Sequence, residues 1–346
     1  MKSKQADNPQ MTRMVSVRAP ARLHLGFLDL NATLGRKFGS IGLAIDSHHC
    51  HLRLTAARDF HIHGTALSAE SRQRLLNTSE RFYQTLGQAI PDLQRGIDIE
   101  LLEHIPEHAG LGSGTQLALT LGTALARFHQ IETSTAQLAQ HLERGKRSGI
   151  GIATFDQGGF VVDGGLKPGQ SVPPVLMQQA FPSNWRIVLL MDHHHQGVHG
   201  QIEKQAFQTL PIFPLTNVQA ICHLTLMQLL PALVQQQLDE FGSAITQIQA
   251  LVGDHFAAVQ GGRYTSRAVA ACLEQAQKLG HTGIAQSSWG PTGCVFVDSD
   301  EAADMLIGQL TDYAQKQPSA TTQPDFIKAG AARTGAIIET ATQEWL

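Results

Sequence analysis

The chain has 346 residues, enough for two ordinary domains, because single hydrophobic cores stop growing by roughly 250–300 residues. Apolar residues make up 42% and charged residues 16%, a globular balance that excludes a disordered chain. A net charge of −3 without any Lys/Arg run leaves no electrostatic footprint for nucleic acid or an anionic membrane, so small-molecule partners are expected.

The polar opening segment MKSKQADNPQ reads as a frayed tail, neither signal peptide nor anchor. Residues 15–18, 23–28 and 51–55 alternate or are β-branched and are predicted as strands. Residues 68–86 suit a helix, with Leu75, Leu76, Phe82 and Leu86 on one face, and 97–102 resumes a strand. Segment 103–116 then opens a helix marked by Leu117, Leu121, Leu125 and Phe128. A second helix over 134–147 leads into 148–155, and 159–162 returns to the sheet. The Pro/Gly-rich stretch 167–174 interrupts the pattern before a strand over 185–191. A domain boundary near Pro182 therefore divides the chain into 12–182 and 183–346.

The second half is mostly helical. One helix carries Phe241, Ile245, Ile248, Val252 and Phe256, and another covers 266–279. Two short strands frame 287–292, and a helix over 300–310 and a strand over 326–329 complete a sheet with helices packed on one side, an α+β arrangement. No run of 18 apolar residues is present. The four cysteines, Cys50, Cys222, Cys272 and Cys294, are far apart, which fits a reducing cytoplasm rather than a disulfide framework or a structural zinc site.

Most of the chemistry is expected in PEHAGLGSGTQ, residues 106–116, where three glycines and two hydroxyl side chains open a helix. Glycines let several N–H groups converge on one anion, and the helix adds unsatisfied donors and partial positive charge. Gly110, Leu111, Gly112, Ser113, Gly114, Thr115 and Gln116 are the candidate phosphate-binding residues. A tight turn capped by Ser113 or Thr115 is the plainer reading. The segment is neither a Walker loop nor a dinucleotide fingerprint.

This loop resembles the second motif of the GHMP kinase superfamily, P-x-x-x-G-L-G-S-S-[AG], which wraps nucleotide phosphates. Other segments narrow the resemblance to the β-ribofuranosylaminobenzene 5′-phosphate synthase family and its bacterial relatives. They are ARLH (21–24) with LDLN (28–31), GR (35–36) leading to SIG (40–42), RSGIG (147–151) with GGFVVDGG (158–165), and QSSWGPT (286–292).

The resemblance implies an α+β GHMP fold, with a ribosomal protein S5 domain 2-like N-terminal domain and a ferredoxin-like C-terminal domain. It implies condensation of 4-aminobenzoate with phosphoribosyl pyrophosphate, losing pyrophosphate and CO2, in tetrahydromethanopterin biosynthesis and one-carbon metabolism. One departure separates the chain from the kinases: Gly151 stands where many carry an aspartate base in S-G-x-D, although Asp156 lies five residues on. An ATP-dependent small-molecule kinase and a non-catalytic phosphometabolite-binding protein are the alternatives.

Under this reading the loop holds the donor's pyrophosphate or its 5′-phosphate, with Mg2+ aiding departure of the leaving group. The metal ligands are unknown, and a homodimer is an admissible assembly. Arg22 or Arg36 grips the aromatic carboxylate unless these are surface ion pairs. His24 exchanges a proton or is a satisfied strand histidine, and Asp29 holds Mg2+ or orients His24. Arg147, Ser148, Ser287, Ser288 and Trp289 are expected to line the substrate, Trp289 stacking on the ring or filling the core. The histidine runs at 48–51 and 193–195 alternate faces along strands and read as solvated strand ends rather than a metal site.

Overall fold

The computed structural model describes residues 12–198, 200–316 and 323–343, and the opening segment lies outside them. Strand β1 (Thr12–Asp29) turns into β2 (Phe38–Ala56) to form a long antiparallel ribbon. Val15, Val17, Ala19, Ala21, Leu23 and Leu25 alternate inward along β1 and are fully buried. The two strands predicted at 15–18 and 23–28 are thus one. Pro20 sits at a register shift beside Ala21, an irregularity of the kind that tolerates a residue without an N–H.

β2 also pairs with β4 (Ile97–Glu103), and β3 (His61–His63) runs parallel to β4 at the edge. The other half of β2 receives β5 (Phe160–Asp163), which pairs with β6 (Val175–Gln179). β6 follows the stretch whose prolines and glycines hide it from sequence patterning. The second sheet follows the order β10 (Asp325–Ala329), β7 (Arg186–Met191), β9 (Gly293–Val297), β8 (Ile284–Gln286), with every pair antiparallel. From the far end of the chain, β11 (Ile337–Gln343) returns to pair with β1 in the first sheet.

Helices α1 (Ala69–Gln84) and α2 (Ser113–Phe128) pack together, with α2 lying across β1 and β2. Ser68 and Ser71 close a capping box that starts α1. α3 (Thr135–His141) is shorter than the predicted 134–147 because Glu143 and Gly145 adopt left-handed backbone, φ 56° and 83°, and end it. α4 (Ile150–Gln157) follows, and α5 (Gly200–Thr209) precedes a helical rod from Leu215 to Gln235.

The rod consists of α6 (Leu215–Leu224), a π turn at Thr225–Leu229 and α7 (Leu230–Gln235). Pro231 supplies no N–H there, and the ladder widens just before it. By length and hydropathy alone the rod is apolar enough to cross a bilayer, but it packs along α8 (Leu238–Gln260).

The second sheet is covered on both faces rather than one. α9 (Arg267–Lys278) and α10 (Asp300–Gln315) bury Val269, Leu273, Leu306 and Leu310 against Val188, Leu190 and Val295. On the opposite face, Phe241 of α8 meets Phe296 with ring centroids 5.3 Å apart. α8 also reaches β1, joining the two sheets into one core.

Candidate functional site

The loop between β4 and α2 is bent by positive φ at His108, Gly110 and Gly112, 57°, 81° and 87°. Its carbonyls are taken up by the protein. His108 accepts from the Gly197 amide at 3.2 Å, Leu111 from the Arg22 amide at 3.1 Å, and Gly112 from the amides of Thr115 and Gln116. The Gly110 carbonyl accepts from Arg22 Nη1 and from Ser287 Oγ at 2.7 Å. The amides of Gly110, Leu111, Gly112, Ser113 and Gly114 donate to no acceptor among the described residues.

Spare donors at a helix N-terminus, with the glycines only partly covered, make an anion cradle. The predicted set narrows at its end. The Thr115 and Gln116 amides close the first helical turn, and Gln116 Nε2 donates to the Gly151 carbonyl at 2.9 Å, tying α2 to α4.

The 287–290 loop presses against this cradle by backbone contact. A Cβ on Gly110 would stand 2.2 Å from the Ser287 carbonyl oxygen and 2.9 Å from Gly290 Cα. Ser287 Oγ accepts the His24 amide at 3.0 Å, and the Ser288 amide donates to the His24 carbonyl at 2.9 Å. Ser287 therefore links β1, the glycine loop and the second domain through one hydroxyl. Its neighbour Ser288 holds a left-handed φ of 57°.

Arg22 and His24, two residues apart on β1, share a face. Arg22 lies along Gly112, its Cγ and Nε each 3.1 Å from where a Cβ would be. His24 is buried, and its Nε2 has no hydrogen-bond partner. Burial, and then the nearby charges of Arg22 and Arg147, push its pKa down to about 3, so the ring is neutral at physiological pH. The Arg147 guanidinium lies 5.2 Å from the Phe207 ring centroid, and Phe207 in turn meets Trp289 at 5.7 Å. Trp289 is buried against Phe256, centroids 4.2 Å apart, with its indole Nε1 unpartnered. The ring is thus part of the core while also walling the region beside His24, Phe27 and Phe207.

Asp29 and Arg36 sit at the far end of the β1–β2 ribbon. Asp29 Oδ1 accepts the amides of Asn31 and Ala32 at 2.7 and 2.8 Å, an Asx turn that shapes the hairpin, and it makes no hydrogen bond to His24. Arg36 Nη1 donates to the carbonyls of Gly164 and Gly165 at 3.1 and 2.8 Å. In this conformation it ties the hairpin to the turn after β5.

Sequence reasoning assigned no role to Asp163, the residue that organises this turn. It is fully buried and accepts the Gly149 and Gly165 amides, both at 2.8 Å, and the Ser148 hydroxyl at 3.5 Å. Burial pushes its pKa up to about 6 against those donors. The glycines after it, G-G at 164–165, were the available signal: a buried carboxylate followed by backbone free to fold over it.

Gly151 stands at the place of the kinase aspartate. A Cβ there would lie 3.0 Å from Thr115 Cγ2, a tight contact with the first turn of α2. Asp156 does not replace it, because it lines a separate cavity with Gln130, Ile131 and Thr135, beyond the C-terminal end of α2. The histidine runs meet several partners: His48 meets Ser47, His51 meets Ser16, His49 and His51 both approach Glu103 at 4.0 and 3.9 Å, and His193 meets Asp325. Among the described residues no group of three His, Cys, Asp or Glu side chains is placed to hold a metal.

Residues 61–159 match the GHMP kinases N terminal domain and 229–315 match the GHMP kinases C terminal domain. The chain is 34% identical over 311 residues to a protein of Archaeoglobus fulgidus named beta-ribofuranosylphenol 5′-phosphate synthase, covering 87% of this chain and 92% of that one. A protein of the same name from Methanocaldococcus jannaschii is 31% identical, covering 82% and 89%. In fold, the chain is similar to homoserine kinase from Cytophaga hutchinsonii, TM-score 0.68 at 18% identity, covering 98% of this chain and all of that one.

Proposed function

This chain belongs to the beta-ribofuranosylphenol 5′-phosphate synthase family within the GHMP superfamily, and from that premise we propose that it is a decarboxylating phosphoribosyl transferase. The donor is phosphoribosyl pyrophosphate. The acceptor is a benzoate with an electron-releasing para group: an amine if 4-aminobenzoate is the substrate, a hydroxyl if the relatives' product name carries over. The observation that carries the reading is the surplus of amides from Gly110 to Gly114 beside carbonyls that the protein itself consumes.

The chemistry follows from charge. The bond from sugar C1 to pyrophosphate breaks, its electron pair leaving with the pyrophosphate, and the amide cradle stabilises the growing negative charge. The ring carbon bearing the carboxylate bonds to C1. The carboxylate then leaves as CO2, and its bonding pair restores the aromatic ring. His24, neutral and with Nε2 unpartnered, is suited to hydrogen-bond the para substituent rather than to take its proton, because a ring whose pKa is pushed down to about 3 is a weak base.

Mg2+ would neutralise phosphate charge. The carboxylates nearest the loop are committed, Glu70 to Arg74 and His108 and Glu107 to Ser68 and His104. These residues do not fit a protein-built Mg2+ site, so no step is routed through the ion. Kinase chemistry is disfavoured by the lack of a carboxylate at Gly151 and by the synthase names of the relatives.

The test is to incubate the protein with phosphoribosyl pyrophosphate, Mg2+ and carboxyl-labelled 4-aminobenzoate, and in parallel with labelled 4-hydroxybenzoate. Labelled CO2 released in step with pyrophosphate from either acid supports the proposal. ADP formed from ATP and a small-molecule acceptor, without gas, would overturn it.

A further inference from the structure

A cavity of about 370 Å3 lies between α1 and the turn after α3, lined by Arg74, Asn77, Arg81 and Arg144 together with Glu80 and Glu143. Two of its three arginines are neutralised. Arg74 pairs with Glu70, and Arg81 pairs with Glu143 at 3.1 Å. Arg144 forms no ion pair among the described residues, Glu80 included, and its Nε is buried without a hydrogen-bond partner. Arg144 is half-buried, so its outer guanidinium nitrogens stay open to an anion, and a partly desolvated cation beside two like charges gains from one. Burial and the neighbouring Arg74 and Arg81 lower its affinity for the proton, against the attraction of Glu143.

The cavity is not remote from the glycine loop. Arg74 Nη1 lies 2.7 Å from where a Cβ on Gly114 would stand, so its guanidinium rests against the first turn of α2 while its side chain lines the cavity. Gly114 is one of the residues with a spare amide. The N-terminal turn of α2 and the Arg144 cavity thus share the Arg74 side chain as a wall.

We propose that this cavity is an oxyanion subsite, in which Arg144 and Arg74 bind a phosphate or pyrophosphate group continuous with the amides of Leu111 to Gly114. The inference rests on the reading of the glycine loop as a phosphate site and extends it to side chains on α1 and after α3. The anion is either the donor's own pyrophosphate or a free phosphate acting as an effector. Both have the same chemistry at Arg144.

The experiment is calorimetric titration of the whole protein with inorganic pyrophosphate and with phosphoribosyl pyrophosphate, comparing wild type with Arg144→Gln. Wild type is expected to bind pyrophosphate and Arg144→Gln to bind it at least about tenfold more weakly, as loss of a charged hydrogen-bonding partner predicts. Without ligand, Arg144→Gln should unfold at the same temperature as wild type or higher, because a half-buried cation without an ion pair has gone. Asn77→Asp, an exposed change that sets a carboxylate against the cavity, should likewise weaken pyrophosphate binding without loss of stability.

Pyrophosphate displaced by phosphoribosyl pyrophosphate would identify the donor's leaving group as the occupant. Simultaneous binding of both would identify an effector. Equal pyrophosphate affinity in wild type and Arg144→Gln would overturn the subsite and leave the proposed function standing. Undiminished donor affinity in Gly112→Leu would instead overturn the phosphate reading of the loop, whatever Arg144 does.

Discussion

Replacing Gly110 with alanine tests whether the glycine loop is wedged against the second domain. Its φ of 81° costs an L-residue about 1–2 kcal/mol. The added Cβ would then lie 2.2 Å from the Ser287 carbonyl oxygen and 2.9 Å from Gly290 Cα, both backbone atoms that cannot rotate aside. Overpacking of that kind adds about 1–3 kcal/mol, for a total of about 2–5 kcal/mol. Gly112→Ala is the control. Its φ of 87° carries the same backbone cost, but the nearest atoms belong to the flexible Arg22 side chain at 3.1 Å. About 1–2 kcal/mol is expected there. Urea unfolding of the two variants against wild type measures the difference. Equal unfolding free energies would refute the claim that backbone contact between 110 and 287–290 locks the cradle in place.

His24 is held neutral, so its stabilising contribution is complete above its ordinary pKa of 6.5 and is lost as pH falls toward about 3. His24→Gln should lose up to about 5 kcal/mol less stability than wild type across that window, measured as the difference between their unfolding curves at each pH; parallel curves would refute the buried neutral ring. Asp163 carries the opposite sign. Its folded pKa is raised from 3.8 to about 6, so wild type loses up to about 3 kcal/mol as pH rises through that interval. Asp163→Asn should remove the slope, and an unchanged slope in the same assay would place the titration elsewhere. Gly151→Asp restores the carboxylate of the kinases, its Cβ in tight contact with Thr115; weakened donor binding without any ATP-dependent ADP formation is expected, and a gain of kinase activity would contradict the ribosyl-transfer reading of the site.

Much of the architecture was legible because local chemistry and tertiary demand agreed. Ser68, Ser134 and Ser266 cap helices where the sequence placed helix starts, and the β4–loop–α2 succession stands as predicted. The pattern failed where backbone geometry or distant pairing decided. Glu143 and Gly145 end α3 early through left-handed φ, and β11 forms only because β1 offers it an edge. The site divides similarly. The loop, Arg22, His24, Ser287 and Trp289 are gathered as their motifs suggested. Asp29 and Arg36 instead shape the hairpin, because an Asx turn and a backbone-bound guanidinium look like a catalytic pair in one dimension. Arg74 and Arg144 lie in no motif, and only folding brings them together.

The arrangement also suggests why one loop suits two chemistries. An amide cradle recognises phosphate oxygens and is indifferent to which bond of the donor breaks. Selection falls to what stands beside it. Phosphoryl transfer to a hydroxyl needs a base near the cradle, and here a glycine, Gly151, stands at that place, held close to α2 by the Gln116 side chain. Ribosyl transfer to a ring carbon needs the leaving group held and a flat apolar neighbour. Ser287 joins the cradle to the strand that carries His24, two residues before Trp289, so the proposed leaving-group site and the aromatic wall are set by one loop. A shift in 287–290 would therefore disturb both together, which is why the contact at Gly110 governs more than stability.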